Sequence, residues 1–187
     1  MSEQRCGCPG GSPRLHHPDP VPCSSCAAGE WDMCTNGQYT EHGIKERHGF
    51  CVEHALLEPD FLVKVPAQLG PLAVLLEPAS VLAKAWEHIE HIGHRAHWEP
   101  KIVLVTGAGP VGLLAALMGR QRGYDVHVFD RATSGPKPEL ARALGATYHA
   151  GDLAQLIAQA PPDIVLECTG AAKVLLEAVK GSAHSAV

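Results

Sequence analysis

The sequence predicts an α/β fold with a partial, doubly wound parallel sheet, and three observations carry this prediction. Residues 102–105 form a continuous apolar, β-branched run that is typical of a strand buried on both faces. A glycine-rich turn, a helical pattern and a second apolar run at 126–129 follow in that order. The chain then continues to alternate helical and strand patterns. Such alternation indicates parallel strands joined by helical crossovers.

The turn after the first strand reads GAGPVG and matches the G-x-G-x-x-G pattern. In this pattern Gly107 permits the tight turn, Gly109 lets the backbone approach a pyrophosphate, and Gly112 lets the helix pack close to the strand. Pro110 and Val111 open the helix, whose amino terminus offers free N–H groups and partial positive charge to a diphosphate. The combination predicts dinucleotide binding, and a glycine-rich turn without a ligand is the plain alternative.

The acid that ends the second strand bears on the choice of cofactor. Asp130 lies eighteen residues beyond Gly112, where a carboxylate can accept hydrogen bonds from an adenosine ribose. The acid favours the free 2′-hydroxyl of NAD, whereas Arg131 could pair with the 2′-phosphate of NADP, so both cofactors stay open. Thr169 and Gly170 follow the fourth predicted strand, at the carboxyl edge of the sheet where the dinucleotide should lie.

Further elements are predicted around this unit. The predicted helices are 110–122, 138–144, 153–159 and 171–179, and the added strands are 146–148 and 163–167. Four parallel strands in the order 3-2-1-4 result, whereas the full doubly wound dinucleotide-binding sheet has six. We therefore expect an incomplete Rossmann sheet with a central strand exposed as an edge.

The amino-terminal half is less regular. Its predicted elements are an extended arm at 1–22, a strand at 61–65 stopped by Pro66, an apolar turn at 72–76 and a helix at 78–92. The helix carries its apolar residues at helical spacing: Val81, Leu82, Ala85, Trp86, Ile89 and Ile92. Four histidines, at 88, 91, 94 and 97, step along the opposite side. A solvated face is favoured there over a metal-binding stripe.

Composition narrows the classes of function. The chain has 187 residues, 45% of them hydrophobic, which suffices for a packed core. A net charge of −5 without a basic run argues against nucleic acid as a partner. The amino terminus lacks the apolar core of a secretory signal, and the uncharged stretch 102–119 is too interrupted to span a bilayer. We expect a cytoplasmic protein without a membrane partner, and a homo-oligomer stays open.

Three cysteines with metal-ligand spacing lie in a polar, glycine-bearing segment. Cys23, Cys26 and Cys34 form Cys-x2-Cys followed by Cys-x7-Cys, and thiolates bind zinc well. A structural zinc site usually has four ligands, so three ordinary reduced cysteines are the alternative.

Several segments together resemble a known family. The lobe CSSCAAGEWDMC, the segment NGQYTEHGIKERHGF, the turn LLEPAS and the unit VLVTGAGPVGL resemble zinc-containing medium-chain dehydrogenases, and most of all their glucose dehydrogenase branch. The similarity runs from about residue 15 to 180 in one register. It implies an oxidoreductase that oxidises a sugar or alcohol hydroxyl, with hydride passing to NAD or NADP and with zinc.

The resemblance also implies roles for individual residues. Three of the family's four lobe cysteines match Cys23, Cys26 and Cys34, and the remaining place falls on Pro20. Asp19, Cys6 and Cys8 are conceivable substitutes. Glu77 matches a carboxylate on or beside the catalytic zinc, against the alternative of an exposed residue at a helix start. Glu41 matches a carboxylate that contacts sugar hydroxyls, against the alternative of a solvated loop acid.

On this resemblance the chain divides into four parts. They are an extended arm (1–22), a remnant of a catalytic domain with the cysteine lobe (23–77), a connecting helix (78–100) and an incomplete dinucleotide-binding domain (101–187). The leading hypothesis is a truncated glucose 1-dehydrogenase-like enzyme, and the alternative is a catalytically inactive nucleotide-binding module. A remnant that barely folds is the third reading.

Overall fold

The computed structural model describes residues 15–16, 22–56, 59 and 62–187, which fall into two compact units divided between residues 67 and 68. Most of the predicted arm at 1–22 lies outside the described residues. Each unit has its own sheet. The larger unit carries the predicted dinucleotide-binding region, and the smaller one carries the cysteine lobe.

The smaller unit consists of short elements around the cysteines. They are β1 (Leu15–His16), α1 (Ser24–Ala27), a 3₁₀ turn (Trp31–Met33), β2 (Thr40–His42) and β3 (Glu46–Arg47). The sheet has the order β1-β2-β3, with β1 antiparallel and β3 parallel to β2. Cys26 is the one buried residue among those described in this unit. The described residues of this unit therefore do not form an apolar core, and a unit of this kind usually needs a bound metal ion or a disulfide to fold.

The strand predicted at 61–65 is wrong for the part that the structure describes. Residues 62–66 have no regular secondary structure, and Phe61 lies outside the described residues. Leu62, Val63 and Val65 are all exposed. An apolar run forms a strand only where a neighbouring strand offers its backbone groups, and none pairs with this segment in the described sheets.

The larger unit begins with a helical segment in two parts. A 3₁₀ helix (Ala67–Leu75), kinked at Gly70 with φ of 47°, covers most of the predicted apolar turn and leads into α2 (Leu76–Gly93). By length and composition alone, the combined stretch 67–93 could cross a membrane. One side of α2 nevertheless packs into the protein, through Leu82, Trp86 and Ile89. That packing is typical of an amphipathic helix with one narrow buried side.

Two of the apolar positions predicted for α2 do not face the core. Val81 and Ile92 are exposed, whereas Leu82, Trp86, Ile89 and Gly93 are buried at intervals of three and four residues. A buried stripe narrower than the apolar pattern explains the difference. The histidine positions agree with a solvated face, since His91, His94 and His97 are exposed and His88 is half-buried.

The sheet of the larger unit is parallel throughout and has the order β6-β5-β4-β7. Its strands are β4 (Ile102–Thr106), β5 (Asp125–Phe129), β6 (Thr147–His149) and β7 (Ile164–Glu167). The connecting helices are α3 (Pro110–Gln121), α4 (Pro136–Ala143), α5 (Leu153–Gln159) and α6 (Ala172–Gly181). An α/β fold with a parallel sheet is thereby confirmed.

Helices cover both faces of this sheet. One apolar cluster joins α2, α3 and α4 to Val103, Val105, Val126 and Val128. A second cluster joins α5 and α6 to Leu104 and Phe129 on the opposite face. Strands buried on both sides explain the unbroken apolar runs in the sequence.

The expected bare edge is partly covered at β7. Val187 donates its backbone N–H to the Asp163 carbonyl at 3.0 Å, and its own carbonyl accepts from the Val165 N–H at 2.9 Å. These two bonds satisfy backbone groups that an edge strand otherwise leaves to water.

Close packing of α3 on its strand gives the first prediction. A Cβ added at Gly112 would lie 1.8 Å from the Gly107 carbonyl oxygen, whereas one added at Gly109 meets nothing within 4 Å. We expect Gly112→Ala to lower the free energy of unfolding in urea by about 3 kcal/mol or more, because the helix must shift. Gly109→Ala is the matched control and should cost less than about 1 kcal/mol. Equal losses in the two variants would contradict this account of the motif.

Candidate functional site

The glycine turn lies between β4 and α3, at the carboxyl end of the parallel sheet. Gly107 has φ of 95°, and its N–H donates to the Phe129 carbonyl at 2.7 Å. A Cβ at this position would meet the Cys168 carbonyl oxygen at 3.0 Å and would also be strained by the positive φ. Open space at Gly109 leaves the backbone accessible to a ligand.

The amino terminus of α3 opens onto the same region. Gly109 is the N-cap residue and provides no side-chain cap, and Pro110 is the first helical residue. Pro110 and Val111 are both exposed. The first turn of a helix carries N–H groups without intrahelical partners, and these suit an anionic ligand.

Asp130 is tied to the glycine turn by its own side chain. Its carboxylate accepts hydrogen bonds from the backbone N–H of Ala108 at 2.8 Å and of Ala132 at 3.0 Å. Lys137 donates to both carboxylate oxygens, at 2.9 and 3.2 Å. Burial acts to raise the pKa of Asp130, but the bonds from Ala108, Lys137 and Ala132 outweigh it and hold the pKa below its usual value. The acid is therefore ionised at neutral pH and fixed beside the turn.

Two cationic side chains belong to this region: Arg131 is the next residue in the sequence, and Lys137 contacts the carboxylate. Arg131 follows Asp130 directly and is exposed, whereas the Lys137 ammonium forms the ion pair just described. Sequence reasoning did not single out Lys137. It lies seven residues beyond Asp130 in the first turn of α4, and no motif marks that position.

The loop after β7 is held by Glu167, a second residue that sequence reasoning did not assign to the site. The Glu167 carboxylate accepts from the N–H groups of Thr169 at 2.6 Å and Gly170 at 3.0 Å, and from the Thr169 hydroxyl. The Thr106 hydroxyl adds a bond of 3.3 Å from β4. Burial acts to raise the pKa of Glu167, yet these bonds leave it below the usual value. A charged acid thus fixes the Thr169–Gly170 turn beside the glycine turn.

Cys168 lies between Glu167 and Thr169 in the sequence and is half-buried. Burial first, and the neighbouring Glu167 charge second, raise the pKa of the Cys168 thiol to about 11. A thiol that is protonated at neutral pH agrees with a packing residue rather than a nucleophile.

The three predicted lobe cysteines come together in space. The sulfur atoms of Cys23, Cys26 and Cys34 all lie within 4.8 Å of one another. Thiolates about 2.3 Å from a tetrahedral zinc lie roughly 3.8 Å apart, so a small inward movement would bring three ligands onto one ion. Among the residues that the structure describes, this is the group of three or more potential metal ligands. Pro20, Asp19, Cys6 and Cys8 lie outside the described residues.

The thiols differ in their readiness to ionise. Hydrogen bonds from the backbone of Thr35 and of Cys26 lower the pKa of Cys23 to about 5. Burial raises the pKa of Cys26 to about 12, and the neighbouring Cys23 and Cys34 add to that shift. Crowded sulfurs resist taking on several negative charges in the absence of a cation. The donor set therefore fits a thiophilic divalent ion.

The two carboxylates implied by the resemblance lie in different units. Glu77 is exposed in the first turn of α2, and its backbone carbonyl accepts from the Ser80 hydroxyl at 2.6 Å. Glu41 lies in β2, half-buried, and its N–H donates to the Lys45 carbonyl at 2.7 Å. The metal-ligand group found in the described residues does not include either acid.

Comparisons with known proteins bear on this geometry. A family model described as the glucose dehydrogenase C-terminus matches residues 70–187. Glucose 1-dehydrogenase of Methanocella arvoryzae is 38% identical over 167 residues, which are 86% of this chain and 46% of that protein. Glucose 1-dehydrogenase 2 of Vulcanisaeta moutnovskia is 40% identical over 148 residues, or 78% of this chain and 42% of that one. The chain thus spans about half the length of the curated relatives it matches.

A solved structure agrees with the sequence relatives. Glucose dehydrogenase from Haloferax mediterranei matches with a TM-score of 0.79 and 26% identity, over 92% of this chain and 51% of that one. The same values hold for that enzyme in complex with NADP, Zn and gluconolactone. Because the family model alone covers well over half of the residues, this chain belongs to the glucose dehydrogenase branch of the zinc-containing medium-chain dehydrogenases.

Proposed function

We propose that this chain carries the cofactor-binding region of an NAD(P)-dependent, zinc-containing glucose 1-dehydrogenase. The observation that carries the proposal is the hydrogen bond from the Ala108 N–H to the Asp130 carboxylate. It places an ionised acid beside the glycine turn, as an adenosine ribose and its diphosphate require. Relatives named glucose 1-dehydrogenase support a sugar as the substrate.

In this proposal different residues bind the diphosphate, the ribose and the 2′-phosphate of the cofactor. The backbone N–H groups of Gly109 and Val111, on either side of Pro110, receive the diphosphate, with Gly107 and Gly112 shaping the turn. Asp130 accepts from the ribose, and Arg131 and Lys137 supply positive charge for a 2′-phosphate. Thr169 and Gly170 line the adjoining edge of the sheet. The four strands β6-β5-β4-β7 would then be the adenosine half of the dinucleotide-binding sheet.

The other residues that the resemblance assigns to the site serve the substrate and the metals. Zinc at the substrate hydroxyl would supply Lewis-acid polarisation, and NAD(P) would take the hydride from the sugar carbon. Glu77 contributes a carboxylate to the shell of that zinc, and Glu41 accepts hydrogen bonds from sugar hydroxyls. Cys23, Cys26 and Cys34 hold a structural zinc ion in the smaller unit.

The domain division follows the same proposal. Residues 23–77 would belong to the catalytic part and 101–187 to the cofactor-binding part, with 78–100 between them. A net charge of −5 supports a small-molecule partner over nucleic acid. A cytoplasmic location fits cysteines that serve as metal ligands, because the reducing cytosol keeps thiols from forming disulfides. Self-association through equivalent surfaces is compatible with this reading.

Calorimetric titration tests cofactor binding directly. We expect the purified chain to bind NADH, and Asp130→Asn to weaken binding about tenfold, or about 1.4 kcal/mol, because the ribose loses a charged acceptor. Asp152→Asn, at the N-cap of α5, is the matched control and should bind like the unmodified chain. Glucose oxidation is then followed on the same sample with zinc and NAD or NADP. Binding without turnover would favour the inactive module, and no binding would overturn the proposal.

Lys137 should discriminate between the two cofactors. We expect Lys137→Ala to lower the affinity for NADPH about tenfold and the affinity for NADH much less, since an ammonium gains most from a 2′-phosphate. Lys173→Ala, which removes an exposed ammonium from α6, is the control for net charge. Equal losses for NADH and NADPH in Lys137→Ala would rule out a role for this residue in choosing between them.

Metal analysis tests the cysteine lobe. We expect about one zinc per chain by mass spectrometry, and we expect Cys26→Ser to lose it, because the buried member of a three-sulfur set is removed. Cys51→Ser is the control, since Cys51 is exposed and lies outside the cluster. Zinc retained in Cys26→Ser, or absent from the unmodified chain, would leave the three thiols as ordinary reduced cysteines.

A further inference from the structure

Two histidines on neighbouring strands form a linked pair that the proposed function does not use. His127 on β5 places its Nδ1 2.9 Å from the Nε2 of His149 on β6. The two ring planes lie within 4° of each other, with ring centres 5.0 Å apart. On its other side, the Nε2 of His127 lies 3.3 Å from a carboxylate oxygen of Asp125. The three side chains form a chain of acid, imidazole and imidazole.

The hydrogen bonds among Asp125, His127 and His149 fix the tautomers of the two rings when both rings are neutral. A carboxylate can only accept, so His127 carries its proton on Nε2 and donates it to Asp125. The Nδ1 of His127 then has a lone pair, which accepts the N–H on Nε2 of His149. Every proton in the chain is therefore shared with an acceptor.

One additional proton fits this arrangement. It enters at Nδ1 of His149, and the proton on Nε2 of His149 passes to Nδ1 of His127. His127 is then an imidazolium that donates to Asp125 on one side and to His149 on the other, beside the charge that stabilises it. A second additional proton does not fit. Both facing nitrogens would carry a hydrogen, with two positive rings in contact.

The described residues of β4, β6 and α5 that lie beside the pair on this face of the sheet are uncharged. In the register of the sheet, β4 places Leu104 beside His127 and β6 places Thr147 beside it. The helix α5 contributes Leu153 and Ile157 to the apolar cluster on this face. Asp125 is the acid that contacts the pair. Burial, and then the neighbouring His127, hold the pKa of His149 below its usual value.

The pair adjoins the residue that carries the proposed cofactor site. His149 is the register partner of Phe129, and its backbone carbonyl accepts from the Asp130 N–H at 3.1 Å. The Phe129 carbonyl in turn accepts from the Gly107 N–H at 2.7 Å. Separation of the two rings would act on the strand ends that hold both Asp130 and the glycine turn.

We propose that His127 and His149 are positioning residues for Asp130 and make nucleotide binding sensitive to pH. A single hydrogen between the facing nitrogens of the two rings keeps β5 and β6 together. A second additional proton puts a hydrogen on both facing nitrogens, separates the carboxyl ends of the two strands and loosens Asp130. This inference rests on the proposed function, because it assigns the consequence to the same cleft. The sign follows from the lowered pKa of His149 in the folded chain. Stability and nucleotide binding are full above the ordinary histidine pKa of 6.5 and are lost as the pH falls below it toward the lowered pKa of His149.

The test uses ADP-ribose, which contains the adenosine, its ribose and the diphosphate. We expect the dissociation constant of the full chain to rise about tenfold between about pH 7.5 and pH 5. His149→Gln keeps a hydrogen-bonding side chain without a charge and should reduce this change to about twofold or less. His91→Gln, at an exposed position on α2, should behave like the unmodified chain. A flat profile for the unmodified chain, or an unchanged slope in His149→Gln, would overturn the proposal.

A second measurement does not depend on binding. Nitrogen-15 spectra of the histidine rings report the tautomer and the titration of each ring. We expect two separate steps for His127 and His149, the lower one accompanied by loss of hydrogen-exchange protection at the Asp130 amide. Independent titration of both rings near the ordinary pKa of 6.5 would refute the coupled pair. If ADP-ribose fails to bind at any pH while the two steps appear, the proposed function fails and the coupled pair stands.

Discussion

The hydrogen bond between the Asp130 carboxylate and the Ala108 N–H joins the two halves of the cleft. It links the end of β5 to the loop after β4, two segments that are neighbours only because the sheet is parallel. The loop can reach the acid because Gly107 adopts a positive φ and Gly112 leaves room for its carbonyl. Lys137 then neutralises part of the charge from the far side. Loss of the Asp130 side chain would leave the Ala108 and Ala132 N–H groups without this acceptor, whereas loss of Lys137 would leave the carboxylate with these two donors.

Sequence patterns predicted the elements around the glycine turn to within one residue at each end, because local signals mark where these elements begin and end. The helix α3 begins at Pro110, as expected, and ends one residue before the expected position. Gly123, with φ of 85°, follows its end. The strand β7 begins one residue later than expected, at Ile164. The sheet has β6-β5-β4-β7 order, so β5 and β6 add on one side of β4 and β7 adds on the other. In these elements short-range signals and long-range packing agree.

The misses share a physical origin in long-range contacts. The roles of Lys137 and Glu167 depend on acceptors and donors that the fold brings to them, and neither residue has a local signature. Residues 62–65 have strand-like composition but no strand to pair with in the described sheets. The coupling of His127 to His149 likewise follows from register across two strands. A sequence pattern records local preference, whereas these features record which surfaces meet.

The docking of α2 has a practical consequence for dissecting the molecule. The Trp86 ring is wholly buried, lies parallel to Tyr124 with ring centres 5.6 Å apart, and receives the Arg122 guanidinium at 5.0 Å. It also rests on Gly119, where an added Cβ would lie 3.1 Å from the indole. A fragment that begins at β4 would lack Trp86, and the surface of α3 that the indole covers would be exposed to solvent. Expression of the nucleotide-binding unit alone should therefore start ahead of α2, and the indole emission would then report whether that unit is intact.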